Sequence, residues 1–458
     1  NLNIKIPKEI LQSTDTIKDP VDKAIKKFEK HPSIMKIQQS IMVQNFFSFS
    51  QIDFDLIQKE IDLLDKSKTC QETDIPIRIL KENSNIFSFY LCNYINHSIT
   101  ESHFPEELKI ANVKPFFKKE SKTEKSNYRP ISILPNISKI FERCIYYQLS
   151  NHFDSILSPL QCGFRKGYNA QYCLMVMIEK LKKVLDKGGE YGALLTDLSK
   201  AFDCLPHDLL IAKLNMYGME KSSLRLINSY LSNRKQRVKV NIEYSPWQKV
   251  CYGVPQGSIL GPLLFNIFIC DLFLFLPNSE IANYADDNTP YSARDNLDDV
   301  ILDLQDASNT LFSWLKNNGM KANADKSHII FSQTKEICTN ICNEKIVNTS
   351  CKKLLGINID SKLKFEEHVS SLCKKANQKL SALGRLSSLM TFSQRKLIMN
   401  SFITSHFSYC PLIWMLHSRK MNTCINKIHE RSLRLVYKDY TSSFNELLKA
   451  SGSSTIHQ

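Results

Sequence analysis

The spacing of apolar positions divides the chain into a helical first part, a mixed middle and a helical last part. Apolar residues recur at helical spacing over residues 52–96 and again from Asp360 to the end. Between these parts, alternating positions predict strands over Ile110–Phe117 and from Arg129 onward. Further helices are predicted over 136–153, 170–187, 207–231 and 297–318. This order of elements predicts an α+β fold.

The strands predicted in the middle of the chain carry the polar residues that bear on function. Residues 191–197 form an apolar run that ends in Asp197, the pattern of a central strand. Residues 237–254 and 280–291 each have the pattern of two strands joined by a turn, and the second turn holds two adjacent acids. Single strands are expected at 327–332 and 353–359.

The positive charge is concentrated near the end of the chain. The formal net charge is +14, and the segment from Lys374 to Lys438 alone contributes +11. Such a segment favours a polyanionic partner, nucleic acid first and an anionic membrane second. The segment lacks a wide apolar face opposite its charges, and no run reaches the roughly 18 apolar residues of a membrane span, so a membrane partner is disfavoured.

Four cations of this segment are expected to share one helical face, because they are spaced by four, three and four residues. They are Lys427, Arg431, Arg434 and Lys438. Ile428 and Leu435 lie elsewhere on the same helix and are expected to pack inward. A solvated surface helix is the alternative interpretation.

The cysteine spacing argues against a zinc site. None of the 14 cysteines is in a C-x₂-C pair, and the cluster Cys338, Cys342 and Cys351 lacks a fourth ligand in register. Without a secretory signal, free thiols and an intracellular location, cytoplasm and nucleus, are expected.

Three motifs carry candidate chemistry. Residues 196–203 (Thr-Asp-Leu-Ser-Lys-Ala-Phe-Asp) and 284–287 (Tyr-Ala-Asp-Asp) supply carboxylates that suit a pair of Mg²⁺ ions about 4 Å apart, as phosphoryl transfer to a nucleic-acid strand requires. An Asp-Asp pair by itself is more often a polar turn. The third motif, 253–262, begins with Gly-Val-Pro-Gln-Gly-Ser, where two glycines permit close approach of a ligand and Pro262 suits a first helical turn.

These motifs, in this order, resemble the palm motifs of reverse transcriptases, and more closely those of the jockey-like non-LTR (LINE) retrotransposons. Further blocks similar to that family lie at 115–119, 127–132, 157–165, 319–327 and 353–359. The resemblance implies a right-hand polymerase with fingers, a palm containing an antiparallel sheet, and a helical thumb. It divides the chain into a linker (1–55), N-terminal helices with fingers (56–185), palm (186–362) and basic thumb (363–458).

The resemblance also implies the metal site. Asp197 and Asp286 would bind both metal ions, Asp287 would complete the carboxylate triad, and Leu198 would lie at the same metal site. The ions would be two Mg²⁺, with Mn²⁺ as the alternative. Lys326 would protonate the pyrophosphate, although a plain surface lysine is the rival interpretation.

The same resemblance assigns residues to the incoming nucleotide. Lys118 and Arg129 would grip its triphosphate. Phe202 would exclude a ribose 2′-OH by occupying its volume, unless it is an ordinary core aromatic. Gln256 and Gly257 would contact the nucleotide or template, whereas Asp203 is expected to be a structural acid. The four thumb cations would bind the template–primer backbone.

The partners implied are an RNA template, a DNA primer and dNTPs. Leu108 stands where the family usually has Trp. Residues 1–100 hold no set of residues resembling the family's endonuclease, so we expect the chain to be a piece of a larger polyprotein. A catalytically inactive or truncated descendant that only binds nucleic acid is the alternative function. A group II intron-type or telomerase-type enzyme is a closer rival, disfavoured because their accessory domains are not found.

Overall fold

The fold is known for most of the chain from a computed structural model. It describes residues 5–14, 16–43, 45–67, 70–71, 74–118, 121–196, 198, 200–276, 280–322, 327–333, 337–341, 344–415 and 418–456. Of the predicted site residues, Asp197 and Lys326 lie outside these ranges. So does the Cys342 thiol of the cysteine cluster.

Helices and strands occupy most of the described chain. The helices are α1 (Pro20–Lys27), α2 (Pro32–Ser40), α3 (Phe54–Leu63), α4 (Ile77–Glu82), α5 (Ser84–Thr100), α6 (Asn136–Phe153), α7 (Ala170–Asp186), α8 (Ala201–Cys204), α9 (His207–Met216), α10 (Lys221–Leu231), α11 (Leu260–Ile269), α12 (Leu272–Phe275), α13 (Leu297–Asn317), α14 (Glu366–Leu386), α15 (Phe392–Ile398), α16 (Pro411–Trp414), α17 (Arg419–Tyr437) and α18 (Phe444–Ser451). The strands are β1 (Ile110–Phe117), β2 (Tyr128–Ile133), β3 (Glu190–Leu195), β4 (Lys235–Val240), β5 (Glu243–Tyr244), β6 (Gln248–Lys249), β7 (Glu280–Tyr284), β8 (Asp287–Arg294), β9 (His328–Phe331), β10 (Cys338–Ile341), β11 (Glu344–Val347), β12 (Cys351–Leu354) and β13 (Ile357–Asp360).

These elements form two compact units, and neither unit is one continuous stretch of chain. The first unit comprises residues 1–164, 197–278 and 309–323, and the second comprises 165–196, 279–308 and 324–458. The content is mixed helix and sheet, and within the described ranges the strand pairs are antiparallel apart from β1 with β4. The linear boundaries given above for fingers, palm and thumb stay predictions.

Part of the segment predicted to be a linker is folded into the first unit. In α1, Asp19 accepts a hydrogen bond from the Val21 N–H, and Pro20 occupies the first turn, both of which favour a helix start. Val21, Ala24 and Phe28 are buried, and α1 packs against α9. Residues in this stretch therefore contribute to the core of the unit.

The single helix predicted over 207–231 is wrong, because the chain turns between α9 and α10. Gly218 has φ +88°, a backbone conformation that a residue with a Cβ rarely adopts. A Cβ there would lie 2.5 Å from Cγ1 of Val43. The helical periodicity continues through the turn because both helices bury an apolar face in the same unit.

The first unit contains a sheet in the order β2-β1-β4-β5, with β6 also paired to β4. β1 pairs with β2 in antiparallel register, with Phe116 opposite Arg129, and runs parallel to β4, with Asn112 beside Arg237. The two strands predicted over Ile110–Phe117 and from Arg129 are confirmed, the second beginning one residue earlier. The pair predicted over 237–254 is three short strands.

The second unit contains an antiparallel sheet in the order β7-β8-β3-β9. β3 is an interior strand, as its apolar run predicted. Gly192 lies in this strand, where an added Cβ would be 2.6 Å from Cδ1 of Leu304. The core of the unit continues from α7 and this sheet into α14 and α17, and it includes the fully buried Trp414. The predicted helical C-terminal part is confirmed.

Two expectations about composition can be compared with the described residues. The cysteines whose side chains are described are all free thiols. No helix in the described ranges combines the length and apolar character needed to cross a membrane.

A buried ion pair holds the interior of the first unit together. Lys213 on α9 and Asp271 before α12 are both fully buried, with Nζ 2.5 Å from Oδ1. Lys213 also donates to the Phe268 carbonyl, and the Trp314 indole N–H donates to the other oxygen of Asp271 at 2.8 Å. Burial lowers the pKa of Lys213, and the neighbouring Asp271 carboxylate offsets part of that lowering. Each charge is thus compensated by partners that only the folded state supplies.

Removing one charge of this pair should destabilise the protein strongly. We expect Lys213→Met to lower the free energy of unfolding by about 3–5 kcal/mol, because Asp271 is left buried without its counter-ion. The measurement is the midpoint of urea unfolding. The double variant Lys213→Met/Asp271→Leu should recover much of the loss, and a double variant no more stable than the single one would contradict this account.

Candidate active site

The two adjacent acids lie on the tight turn between β7 and β8. Tyr284 is paired with Asp287, so Ala285 and Asp286 form the turn itself. Ala285 is buried and has φ +57°, a left-handed conformation that costs a residue with a side chain about 1–3 kcal/mol. Asp286 and Asp287 are half-buried. The turn therefore holds two carboxylates side by side on a strained backbone.

Two buried asparagines hold this turn from beneath. Nδ2 of Asn283 donates to the carbonyl of Ala285 at 3.1 Å and to Oδ1 of Asn288 at 2.9 Å. Nδ2 of Asn288 donates to the carbonyl of Asp286 at 3.3 Å. Both carbonyls of the turn are thus satisfied by side chains, which fixes its shape. Sequence analysis missed these residues, although their signal is visible as asparagines that bracket the Tyr-Ala-Asp-Asp motif.

The end of β3 is attached to the same turn region. The backbone N–H of Thr196 donates to the Asn288 carbonyl at 3.2 Å, and its hydroxyl donates to the same oxygen at 2.6 Å. Thr196 immediately precedes Asp197, and Asn288 immediately follows Asp287. Strand β3, which leads to Asp197, is therefore hydrogen-bonded to strand β8, which begins with Asp287.

The donor chemistry of the turn fits a hard divalent cation. Asp286 and Asp287 offer carboxylate oxygens, the ligands that Mg²⁺ prefers, from consecutive residues. Within the described ranges no three His, Cys, Asp or Glu side chains form a group able to hold a metal. Asp197, the remaining carboxylate of the predicted triad, is outside those ranges. Leu198 is buried and forms a backbone bridge with Ala322 in the first unit.

The Gly-Val-Pro-Gln-Gly-Ser loop is bound tightly to α8. The N–H groups of Gly253 and Val254 donate to the carbonyls of Leu205 and Phe202, at 2.7 and 2.9 Å. Gly253 has φ +77°, and a Cβ there would lie 2.5 Å from the Phe202 carbonyl oxygen. Glycine is required at this position because the two backbones touch.

The other end of the loop contacts β2. The Ser132 N–H donates to the Gln256 carbonyl at 2.7 Å, and a Cβ on Gly257 would lie 2.6 Å from the Ser132 carbonyl oxygen. The Gln256 side-chain amide donates to Oδ1 of Asp203 at 3.0 Å, and burial raises the pKa of that carboxyl. Asp203 therefore helps to hold the Gln256 side chain, and its assignment as a structural or capping acid rather than a metal ligand stays a prediction. A contact of Gln256 or Gly257 with nucleotide stays a prediction.

A buried glutamate on α6 holds the start of the helix that follows this loop. Glu142 is fully buried, and its Oε2 accepts from the N–H of Ile259 at 2.6 Å and of Leu260 at 3.3 Å. At the start of α11 these N–H groups have no partner within the helix, and a carboxylate is favourable there. Burial nevertheless raises the pKa of Glu142. Sequence analysis missed this residue, since nothing in the local pattern of α6 distinguishes it.

The predicted nucleotide-binding residues of the first unit lie on three of its elements. Lys118 and Arg129 are exposed and follow Phe117 and Tyr128, which form the β1–β2 pair next to the connecting loop. Phe202 on α8 stacks on Phe265, with ring centroids 4.5 Å apart. The stacking fixes the ring while leaving it only half-buried.

Three of the four predicted thumb cations are exposed on α17 or at its end. Lys427, Arg431 and Lys438 are exposed, whereas Arg434 is half-buried and donates to Glu430 at 2.7 Å. The inward packing of Ile428 is confirmed, and Leu435 is partly buried against the same core. Arg434 is thus partly engaged within its own helix.

A tyrosine that sequence analysis missed binds the turn between β12 and β13. The Tyr409 hydroxyl donates to the Leu355 carbonyl at 2.7 Å. A Cβ on Gly356 would lie 2.9 Å from Cε1 of the same ring. The β12–β13 hairpin, which contains the 353–359 block, is therefore held by a residue of the C-terminal helical region of the second unit.

Comparison with known proteins identifies the class. Residues 117–359, more than half of the chain, match the model of the reverse transcriptase (RNA-dependent DNA polymerase) family, and the chain belongs to that family. Its relatives point to the jockey-like non-LTR retrotransposon group, which confirms the resemblance noted above.

Three relatives show the extent of the similarity. A probable RNA-directed DNA polymerase from transposon BS of Drosophila melanogaster is 28% identical over 76% of this chain and 40% of its own length. The RNA-directed DNA polymerase from mobile element jockey of the same organism is 28% identical over 68% and 35%. A putative COX1/OXI3 intron 1 protein of Saccharomyces cerevisiae is 31% identical over only 31% and 16%. The chain thus spans about two fifths or less of these relatives' length.

The asparagine network beneath the acidic turn should be needed for activity. We expect Asn288→Leu to lower primer extension at least about tenfold, equivalent to roughly 1.4 kcal/mol, because the Asp286 carbonyl loses its donor and the acidic turn loses its fixed shape. Binding of template–primer should be unchanged. Extension at the parent rate by a folded Asn288→Leu protein would show that the turn keeps its shape without the network.

Proposed function

We propose that this chain extends the 3′-OH of a DNA primer with dNTPs on an RNA template. The observation that carries the proposal is the double hydrogen bond from Thr196 to Asn288, which attaches the end of β3 to the Tyr-Ala-Asp-Asp hairpin. Thr196 is the residue before Asp197, and Asn288 is the residue after Asp287, so the bond joins the strands that lead to the two motifs.

Asp197, Asp286 and Asp287 would hold two Mg²⁺ ions, with the Leu198 carbonyl as a further ligand and Mn²⁺ as the alternative metal. When bound, the ions supply activation of the attacking hydroxyl and charge neutralisation of the leaving pyrophosphate. The protein's own contribution is positioning, because the strained, doubly hydrogen-bonded turn holds Asp286 and Asp287 in one geometry.

Other residues would act on the nucleotide. Lys118 and Arg129 would bind the triphosphate as charge-assisted donors. Lys326 would give a proton to the departing pyrophosphate. The Phe202 ring, fixed by Phe265, would occupy the volume of a ribose 2′-OH and so select deoxynucleotides. Gln256 and Gly257 would line the nucleotide or template side of their loop.

The right-hand layout follows from the same proposal. The β1–β2 region would be the fingers, the β7-β8-β3-β9 sheet the palm, and the helices from α14 onward the thumb. Lys427, Arg431, Arg434 and Lys438 would bind the phosphates of template and primer without reading sequence, so binding should weaken with salt. In the whole protein this region would act beside an endonuclease.

A catalytically inactive descendant that only binds nucleic acid is the second candidate. The basic C-terminal region supports binding by itself, since it does not depend on the carboxylates. The intact pair Asp286 and Asp287, on a turn supported by two buried asparagines, favours the enzyme.

Primer extension decides between the two functions. With an RNA template, labelled dNTPs and Mg²⁺, the parent chain should extend the primer, and Asp286→Ala should reduce extension by at least about 10³-fold, because a metal ligand is lost. Asp298→Ala, an exposed acid at the start of α13, is the matched control and should extend normally. Salt-sensitive binding without extension by the parent would favour the binding-only descendant.

Phe202 should control sugar selection. We expect Phe202→Ala to incorporate ribonucleotides at least about tenfold more efficiently relative to deoxynucleotides, because the volume of the ring becomes available to the 2′-OH. The measurement is the ratio of kcat/KM for rNTP and dNTP in the same variant, so that a general loss of activity cancels. An unchanged ratio would mean that Phe202 is only a core aromatic.

A further inference from the structure

The loop that carries the Gly-Val-Pro-Gln-Gly-Ser motif is held at both ends by ionisable side chains from behind it. At its first residue, Nε2 of His207 on α9 donates to the Gly253 carbonyl at 2.7 Å. At its other end, Oε2 of Glu142 on α6 accepts the N–H groups of Ile259 and Leu260 at 2.6 and 3.3 Å. Both side chains therefore bind the backbone of the loop.

The middle of the loop stays accessible while its support is buried. Gln256 is half-buried and Gly257 is exposed. Glu142 has no exposed surface, and its Oε1 accepts a hydrogen bond from the Ser138 hydroxyl at 3.3 Å. Because Glu142 has no surface to offer a ligand, it can act on a bound molecule only through the loop that it holds.

A buried arginine completes this support. Arg234, between α10 and β4, is 2% exposed, and its Nη1 donates to the Tyr230 carbonyl at 3.0 Å. Its guanidinium lies 4.9 Å from the Tyr230 ring centroid, and among the described residues its Nη2 has no hydrogen-bond partner. Burying such a charge is costly unless an opposite charge lies nearby. The Glu142 carboxylate interacts with it electrostatically.

The charge of Arg234 acts on both side chains that hold the loop. Burial raises the pKa of Glu142, and Arg234 opposes this by favouring the carboxylate. Burial lowers the pKa of His207 and Arg234 lowers it further, although the Gly253 carbonyl and Asp208 act in the other direction. Arg234 thus favours an ionised glutamate and a neutral histidine. We call Glu142, His207 and Arg234 together the loop clamp.

We propose that the loop clamp positions Gln256 and Gly257 for the incoming nucleotide and the template base that pairs with it. The inference rests on the proposed function, in which these two residues line the nucleotide or template side of their loop. The clamp also fixes the loop against the proposed sugar-selecting residue, because the Val254 N–H donates to the Phe202 carbonyl at 2.9 Å.

Loss of the clamp should affect nucleotide binding rather than the chemical step. The loop belongs to the first unit, whereas Asp286 and Asp287 lie on a turn of the second unit that has its own supporting asparagines. A displaced loop weakens contacts made equally before and during the reaction. Such contacts change KM and leave kcat nearly constant.

Single-nucleotide addition on one template–primer, with the dNTP concentration varied, tests the clamp. Glu142→Gln keeps the size of the side chain but loses the charge that attracts two N–H groups. We expect the KM for dNTP to rise about tenfold and kcat to change by less than about twofold. The affinity for template–primer, measured by fluorescence anisotropy, should be unchanged.

Glu60 on α3 provides the matched control. It is also buried in the first unit, at 6% exposure, and it accepts a hydrogen bond from the Tyr147 hydroxyl at 2.8 Å. Glu60→Gln removes the same interior charge away from the loop and should keep the parental KM. An equal rise of KM in both variants, or a parental KM in Glu142→Gln, would overturn the inference.

A double variant separates loss of position from loss of stability. Glu142→Gln alone leaves Arg234 buried without its counter-charge and should lower the midpoint of urea unfolding. Glu142→Gln/Arg234→Gln removes both charges and should recover much of that midpoint. Its KM for dNTP should stay raised, because the carboxylate is still missing. A KM that returns to the parental value together with the stability would contradict a positioning role.

The other end of the clamp gives an independent comparison. His207→Gln retains an N–H donor close to the position of Nε2 and should stay within about threefold of the parental KM. His207→Leu has no donor for the Gly253 carbonyl and should raise the KM about tenfold. Equal KM values in the two variants would show that this hydrogen bond does not position the loop.

Failure of the proposed function would look different. A parent chain that adds no nucleotide at any dNTP concentration would contradict the polymerase itself. A parent chain that extends the primer, with an unchanged KM in Glu142→Gln, would contradict the loop clamp alone.

Discussion

The pairing of β3 with β8 is the constraint on which the acidic site depends. One carbonyl, that of Asn288, receives both the N–H and the hydroxyl of Thr196, so the register is fixed twice at the point where β3 ends. Side chains alternate along a strand, and a slip of one residue would turn every side chain of β3 to the other face. Asn283 and Asn288 extend the same control into the turn, since each bonds a carbonyl that the left-handed Ala285 leaves without a ladder partner.

The first unit uses close backbone contact where the second uses side-chain amides. Gly253 and Gly257 let one loop touch α8 and β2 directly, and Glu142 holds the helix that follows. Burying an ionisable carboxyl is costly, which is why the pKa of Glu142 is raised, but its two N–H partners compensate the charge at a helix start. The conformation of the loop is therefore fixed by its contacts with α8, β2 and Glu142, and its two glycines make the contacts with α8 and β2 possible.

Much of this architecture could be predicted from local pattern. The strands β1, β3, β7 and β8 and the helices α6, α7 and α13 have the periodicity that their burial requires, and the acids at the β7–β8 turn were expected there. The break at Gly218 was missed because both flanking helices bury apolar faces, so periodicity does not reveal the turn. Glu142 and Tyr409 were missed for a different reason, since each bonds backbone groups that are far away in the sequence and near only in the folded chain. Asn283 and Asn288 were missed although they flank the Tyr-Ala-Asp-Asp motif. The spacing of the four cations on α17 did not reveal that Arg434 is paired with Glu430 one turn earlier.

The interleaving of the two units sets the order in which the chain can fold during synthesis. The first unit begins with the first residues but includes 309–323, and the second cannot be complete before the C-terminal helices exist. At typical synthesis rates the ribosome needs roughly 10–30 s to pass from residue 164 to residue 323. Until residues 235–240 have been made, the β1–β2 pair lacks β4 and leaves its edge open to other chains. Chaperone demand should therefore be high while residues 134–240 are being made, and nascent chains released within that stretch should be especially prone to aggregate.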